Sequence, residues 1–331
     1  MFTHSKRRTL FGVLFLVLLI CGISYYTYSH QESDPISKTA FKLNTVITIT
    51  IYDSDDESLI DDAFALCDAY ESKLSRTLKG SEIYNLNHGI SNAVSSETAE
   101  LISIGLSYGE ISHGAFDITI EPLSSLWNFT ADAPVVPSQD TLANAIPLVN
   151  YQKVSLTNDQ VHFLTEDMGV DLGAIAKGYI ADAMKDFLIS KGVTSAIINL
   201  GGNILCVGSR PDGTPFEIGI QKPFADHNET IDSITIQDQS VVSSGIYERF
   251  FEKDGTLYHH ILNPETGMPY DNHLISVTII SDKSVDGDAL STTCFALGLE
   301  KGMELINNRS DVKAIFITDD YELHYSEDFM N

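Results

Sequence analysis

Asp288 and Thr292 stand four residues apart in a stretch with helical spacing, so they share one face. A carboxylate beside a hydroxyl suits a hard cation such as Mg2+, which takes oxygen ligands and keeps several of its waters. Taken alone, the same pair fits a solvated helix surface. His259 and His260 are neighbours, and successive strand residues point to opposite faces, so at most one meets a given site. An imidazole, with an ordinary pKa of about 6.5, can take a proton near neutral pH. Lys177 follows Asp171 by a turn and a half of helix, among small residues that let a ligand approach closely. Alone, Asp171 reads as a helix cap and Lys177 as a solvated lysine.

Further small-and-polar clusters lie along the chain: Gly114–Thr119 followed by Glu121 and Trp127, Asn199–Asn203, Ser243–Arg249 and His259–Pro264. Gly201-Gly202 alone reads as a turn. No Walker A loop, G-x-G-x-x-G, H-E-x-x-H or G-x-S-x-G is present, which disfavours the ordinary nucleotide-binding folds.

Helices and strands must bring these clusters together. Residues 43–52 alternate, with Ile47, Ile49 and Ile51 on one face, and predict a half-buried strand. Asp55-Asp56-Glu57 opens a helix striped by Ile60, Phe64, Cys67, Tyr70 and Leu74. A second helix is predicted over 97–112, striped by Leu101, Ile104, Tyr108 and Ile111. A third covers 173–191 and ends at Gly192, and a last one covers 286–307. Residues 131–140 read as a loop, and 154–164 as a hairpin. Further strands are predicted at 196–200, 217–220, 231–236 and 275–280. Without a repeating βαβ rhythm, the pattern is α+β, one compact catalytic body.

The chain has 331 residues and a net charge of −26. Lys6, Arg7 and Arg8 are the charged residues of the first thirty, which leaves −29 on the rest. So acidic a body repels nucleic acid, and any phosphorylated ligand must meet a metal or a local cation. The basic start and the uncharged run from Leu10 to Tyr28 predict a membrane anchor over 1–30 with the N-terminus inside. Cys21, preceded by Ile20, leaves a lipoprotein or a cleaved signal open. Residues 31–40 read as a tether and 41–331 as the catalytic body. The other cysteines, Cys67, Cys206 and Cys294, form no C-x-x-C pair and read as buried thiols.

Together, GAFDITIEPLSSLW, DLGAIAKGYIAD, INLGGNI, SSGIYERFF, HILNPETGMP and GDALSTTCFALG resemble the ApbE family, the FAD:protein FMN transferases, in that family's order from about residue 40 to 325. The resemblance implies an ApbE-like, T-fold-related body. It implies FAD contacts at Leu43, Ala115, Phe116, Asp117, Asp171, Lys177 and Ile261. It implies Mg2+ held by the Ala174 carbonyl, Asp288 and Thr292, and His260 as the base. The chain departs from the family at Leu43-Asn44-Thr45, where Met-Gly-Thr is frequent, and at Ser243, Ile246 and Asn263.

The implied reaction moves FMN from FAD to a threonine of an acceptor protein belonging to an exported or membrane electron-transfer system. That places the catalytic body outside the cell membrane. Two alternatives stay open: hydrolysis of FAD to FMN and AMP, with water in place of threonine, and a flavin-binding lipoprotein without chemistry. A pure binder needs neither His260 nor the Asp288/Thr292 pair.

Overall fold

Isoleucine at every second position from Ile47 to Ile51 puts three side chains on one strand face, and all three are fully buried. In the computed structural model, which describes residues 34–129, 134–226 and 229–330, this strand is β2 (Thr45–Ile51). It pairs with an edge strand, β1 (Ile36–Lys42). Outward hydroxyls meet across the ladder, Thr39 with Thr48 at 3.0 Å and Ser37 with Thr50 at 2.9 Å, which supports the register. β1 corrects the sequence reading, which assigned residues 36–40 to a tether. Its inward positions include Lys38 and Lys42, paired with Asp61 and Asp68 of helix α1 (Ser58–Leu74). Inward charges protect a sheet edge, and they also hide the strand from an apolar-alternation test.

Strands β3 (Val154–Thr157) and β4 (Gln160–Phe163) form the expected separate hairpin. The other strands are β5 (Ser195–Leu200), β6 (Asn203–Gly208), β7 (Phe216–Gln221), β8 (Thr230–Ile236), β9 (Ser240–Gly245), β10 (Phe250–Lys253), β11 (Thr256–His259), β12 (Leu274–Ser281), β13 (Val312–Thr318) and β14 (Leu323–Tyr325). One antiparallel sheet runs β1-β2-β5-β6-β9-β12-β13-β14. The helices after α1 are α2 (Glu82–Asn87), α3 (Ser96–Ile111), α4 (Glu121–Trp127), α5 (Gln139–Ala145), α6 (Ala176–Ser190) and α7 (Ser284–Asn307), the last broken at Gly298.

Side chains from α1, α3, α6 and α7 share a core with Ile49, Ile198, Leu205, Ile279 and Phe316 of the sheet. The intervening sheet residues Cys206, Val241, Ile280 and Ile315 pack instead against the β7–β8 hairpin, through Phe216, Ile218 and Ile234. Helices on one face of an antiparallel sheet make this an α+β body. All three cysteines of that body are free and buried.

Helix α3 buries Leu101 and Tyr108 of the expected stripe and packs Ile104 against the core, but its buried face is rotated away from Ile111. Leu101, Ile102, Gly105, Tyr108 and Gly109 face the core, and Ile111 is exposed. A Cβ on Gly105 would come within 2.5 Å of Ile118, and one on Gly109 within 2.9 Å of Tyr151. The packed face is thus marked partly by glycines, which an apolar pattern does not register. Among the described residues, no helix is long and apolar enough to cross a membrane. The basic start, the apolar run and Cys21 lie outside the described residues.

Candidate active site

The β1–β2 connection turns at Leu43 and Asn44, both with positive φ (53° and 56°). Two-residue hairpins of this hand demand that conformation, and here the turn brings Leu43 to a cleft of about 370 Å³. All eleven residues singled out from sequence line this one cleft: Leu43, Ala115, Phe116, Asp117, Asp171, Ala174, Lys177, His260, Ile261, Asp288 and Thr292. They arrive from the hairpin turn, the loop before α4, the start of α6, the segment after β11 and the inner face of α7.

Asp288 is 5% exposed, which excludes the solvated-surface reading. Its Oδ2 accepts the backbone N–H of Gly178 at 2.5 Å, and its Oδ1 accepts the Asn203 amide at 3.1 Å. The approach needs glycine, since a Cβ on Gly178 would sit 2.2 Å from the Ser284 carbonyl oxygen. Burial pushes the Asp288 pKa up, and the Lys177 charge opposes that shift. No cation stands within salt-bridge distance of this carboxylate among the described residues. Thr292, one turn along the helix, meets Ser244 Oγ at 3.1 Å.

No cluster of three or more His, Cys, Asp or Glu converges among the described residues. One buried, unpaired carboxylate with a hydroxyl beside it fits a hard cation that keeps waters or takes oxygens from its ligand.

The two histidines divide as strand geometry requires. His259 is 4% exposed, donates Nε2–H to the Tyr270 carbonyl at 2.9 Å and accepts the Ile261 N–H on Nδ1 at 3.3 Å. Both nitrogens are used inside the fold. His260 is half-buried, with one edge in the cleft. Its Nδ1 lies 3.3 Å from the Arg249 carbonyl, which can only accept, so Nδ1 carries the proton and Nε2 keeps a free lone pair. Crowding by protein atoms, then the Arg249 and Lys177 charges, lower the His260 pKa below its ordinary 6.5, while the bond to Arg249 opposes them. It is therefore neutral at pH 7.

Asp171 does not cap α6. Its Oδ2 pairs with Arg76 Nε at 2.9 Å and accepts Ser124 Oγ at 2.9 Å, and its Oδ1 accepts the Gly173 N–H at 3.0 Å. The α6 N-cap is Ile175, with no side-chain cap. Asp117 is engaged locally: Oδ1 accepts from the backbone and hydroxyl of Thr119, and Oδ2 from the Tyr151 N–H. Its carboxylate shapes the loop that presents Ala115 and Phe116. The Ala115 carbonyl accepts Tyr270 OH at 2.9 Å. Lys177 makes no ion pair among the described residues, and its charge reaches Asp288 and His260.

Arg76 is a cleft residue that the sequence reading missed, while Glu248 and Arg249 enter it only as members of the Ser243–Arg249 cluster, with no role assigned. Arg76 lies just past the end of α1, remote in sequence from its partner Asp171. In a chain this acidic, an arginine beside a small-residue turn was the available signal. Asn203 was quoted only as part of a glycine turn. Below the cleft, the fully buried Trp127 donates Nε1–H to the Gly267 carbonyl at 2.7 Å. It stacks on Phe129, a lining residue, with ring centroids 5.5 Å apart.

Residues 43–316 match the ApbE family. A FAD:protein FMN transferase of Klebsiella pneumoniae (strain 342) is 40% identical over 287 residues, 85% of this chain and 89% of its own length. One from Treponema pallidum (strain Nichols) is 31% identical over 333 residues, 94% of this chain and 92% of its own. Among solved structures, an ApbE protein from Thermotoga maritima superposes with a TM-score of 0.83 at 29% identity, covering 90% of this chain and 98% of its own. The flavin transferase ApbE from Vibrio cholerae gives 0.78 at 27% identity, covering 90% and 98%.

Proposed function

The chain belongs to the ApbE family, and from that premise we propose that it transfers FMN from FAD to a threonine of an acceptor protein. The enzyme name shared by its relatives carries FAD as donor and a protein as acceptor. One observation in the cleft carries the chemistry: His260 is fixed through Nδ1 with Nε2 free, across a pocket shared with Lys177, Asp288 and Thr292. A storage protein has no use for a positioned base.

The threonine hydroxyl is a weak nucleophile near neutral pH. His260 Nε2 takes its proton as Oγ attacks the FMN-side phosphorus of the pyrophosphate. The new P–O bond joins FMN to threonine, and the bond to the bridging oxygen breaks, so AMP leaves with that oxygen. Asp288, Thr292 and the Ala174 carbonyl would hold Mg2+. When bound, Mg2+ supplies positive charge against the phosphate oxygens. Lys177 adds charge from the chain itself. Arg76 holds Asp171 at the wall, and Leu43, Phe116 and Ile261 give apolar surface for the flavin.

The test combines the full chain in detergent with FAD, Mg2+ and a threonine-bearing flavoprotein domain, followed by denaturing electrophoresis. Flavin fluorescence that stays with the acceptor supports transfer. Free FMN and AMP without labelled acceptor would favour hydrolysis, and unchanged FAD would remove both. The proposal extends to location, an N-terminal anchor with the body outside the membrane. Its support is the basic and apolar pattern of residues 1–30. Recovery of the uncut chain in a cytosolic fraction would sink that part.

A further inference from the structure

Asp288 is oriented from the sheet. Ser240 on β9 reaches Ser284 Oγ at 2.9 Å, Ser284 Oγ donates to Asn203 Oδ1 at 2.8 Å, and Asn203 Nδ2 donates to Asp288 Oδ1 at 3.1 Å. Ser240, Ser284 and Asn203 are fully buried. The direction of the chain is dictated by its end. An ionised carboxylate only accepts, so the Asn203 amide must turn its NH2 towards Asp288, and its carbonyl must then take the Ser284 hydroxyl. With Gly178 N–H on Oδ2, the carboxylate is held at both oxygens, which fixes the plane in which its remaining lone pairs meet the cleft.

We infer that Asn203 is the positioning residue for metal binding: through Ser284 and Ser240 it fixes the Asp288 carboxylate in the orientation that takes a divalent cation. The inference rests on the magnesium reading above and assigns a role to a residue outside the cleft lining. An unsupported Asp288 could rotate about its last torsion, at an entropic cost whenever the cation bound. Partners that orient a metal ligand typically contribute about 10–100-fold in affinity.

The experiment titrates Mg2+ by calorimetry into the FAD-loaded full chain, with flavin binding measured separately in EDTA. Asn203→Ala should weaken Mg2+ binding about 10–100-fold, leave FAD binding in EDTA unchanged, and regain transfer at saturating Mg2+. Ser284→Ala should weaken Mg2+ in the same direction by less, and it carries the test if Asn203→Ala fails to fold. Wild-type Mg2+ affinity in whichever of the two folds overturns the inference. So does an equal loss of FAD binding in EDTA, because Asn203 would then be shaping the flavin pocket. If the wild-type protein takes up no Mg2+, the magnesium reading falls as well.

Discussion

His259 and His260 donate from opposite ring nitrogens to two different carbonyls, His259 Nε2 to Tyr270 and His260 Nδ1 to Arg249. The first has both nitrogens engaged inside the fold, and the second has one to offer. His260→Ala should lower the transfer rate about 10²–10⁴-fold while FAD affinity stays close to wild type. His259→Ala should act differently, lowering the melting temperature by leaving the Tyr270 carbonyl and Ile261 N–H short of a partner. Covalent flavin on the acceptor, flavin binding and thermal melting separate the two. Normal transfer in His260→Ala would remove it from the mechanism.

The second expectation is a pH profile. In the proposed mechanism His260 works as the neutral ring, so transfer should be full above its folded pKa and fall as pH drops through it. Since burial and Arg249 hold that pKa below 6.5, the acid limb of the rate should lie below 6.5. Arg249→Gln should move it upward. Stability follows the same sign: the unfolded chain takes the proton first, so stability is lost as pH falls from 6.5 towards the folded pKa. An acid limb at or above 6.5 would contradict the assignment.

A third expectation concerns Asp288. Its burial makes the charge costly without a cation. Asp288→Asn should therefore melt near or above the wild-type protein in EDTA, because Asn203 can turn its amide over and Ser284 can reverse its hydroxyl. Added Mg2+ should raise the melting temperature of wild type only, and transfer by the variant should be lost. A Mg2+-dependent rise in Asp288→Asn would point to ligands elsewhere.

Gly178→Ala tests the crossing of α6 and α7. The added Cβ meets a backbone oxygen, which cannot swing away as a side chain could. The expected cost is about 1–3 kcal/mol of stability, together with weaker Mg2+ binding, because α7 must move away from the Gly178 N–H. Chemical denaturation and the metal titration measure the two effects. Wild-type stability would mean that the helices have slack there.

Residues that could be read from local sequence were those whose chemistry sits in one short segment. The GDALSTTC segment places Asp288 and Thr292 on one helix face by spacing alone, and HILNPETGMP separates His260 from His259. Arg76 and Asn203 could not be read this way, because each acts on a carboxylate that only folding brings near. The strands β6 and β9 were missed for a different reason. Covered by helices on one face and by the β7–β8 hairpin on the other, their burial does not alternate strictly, so a period of two is blurred. β1 was hidden by its inward lysines, and part of the packed face of α3 by its core-facing glycines.

Trp127 is the single tryptophan of the chain, buried and stacked on a ring that forms part of the cleft wall. The protein therefore carries one indole emitter, packed beside its binding site, while its 14 tyrosines emit at shorter wavelength. Indole emission overlaps flavin absorption, so FAD entering the cleft should quench it by energy transfer, and a departing FMN product should restore it. Occupancy and turnover could be followed optically in the unlabelled protein by exciting the indole selectively, with Trp127→Phe as the indole-free reference.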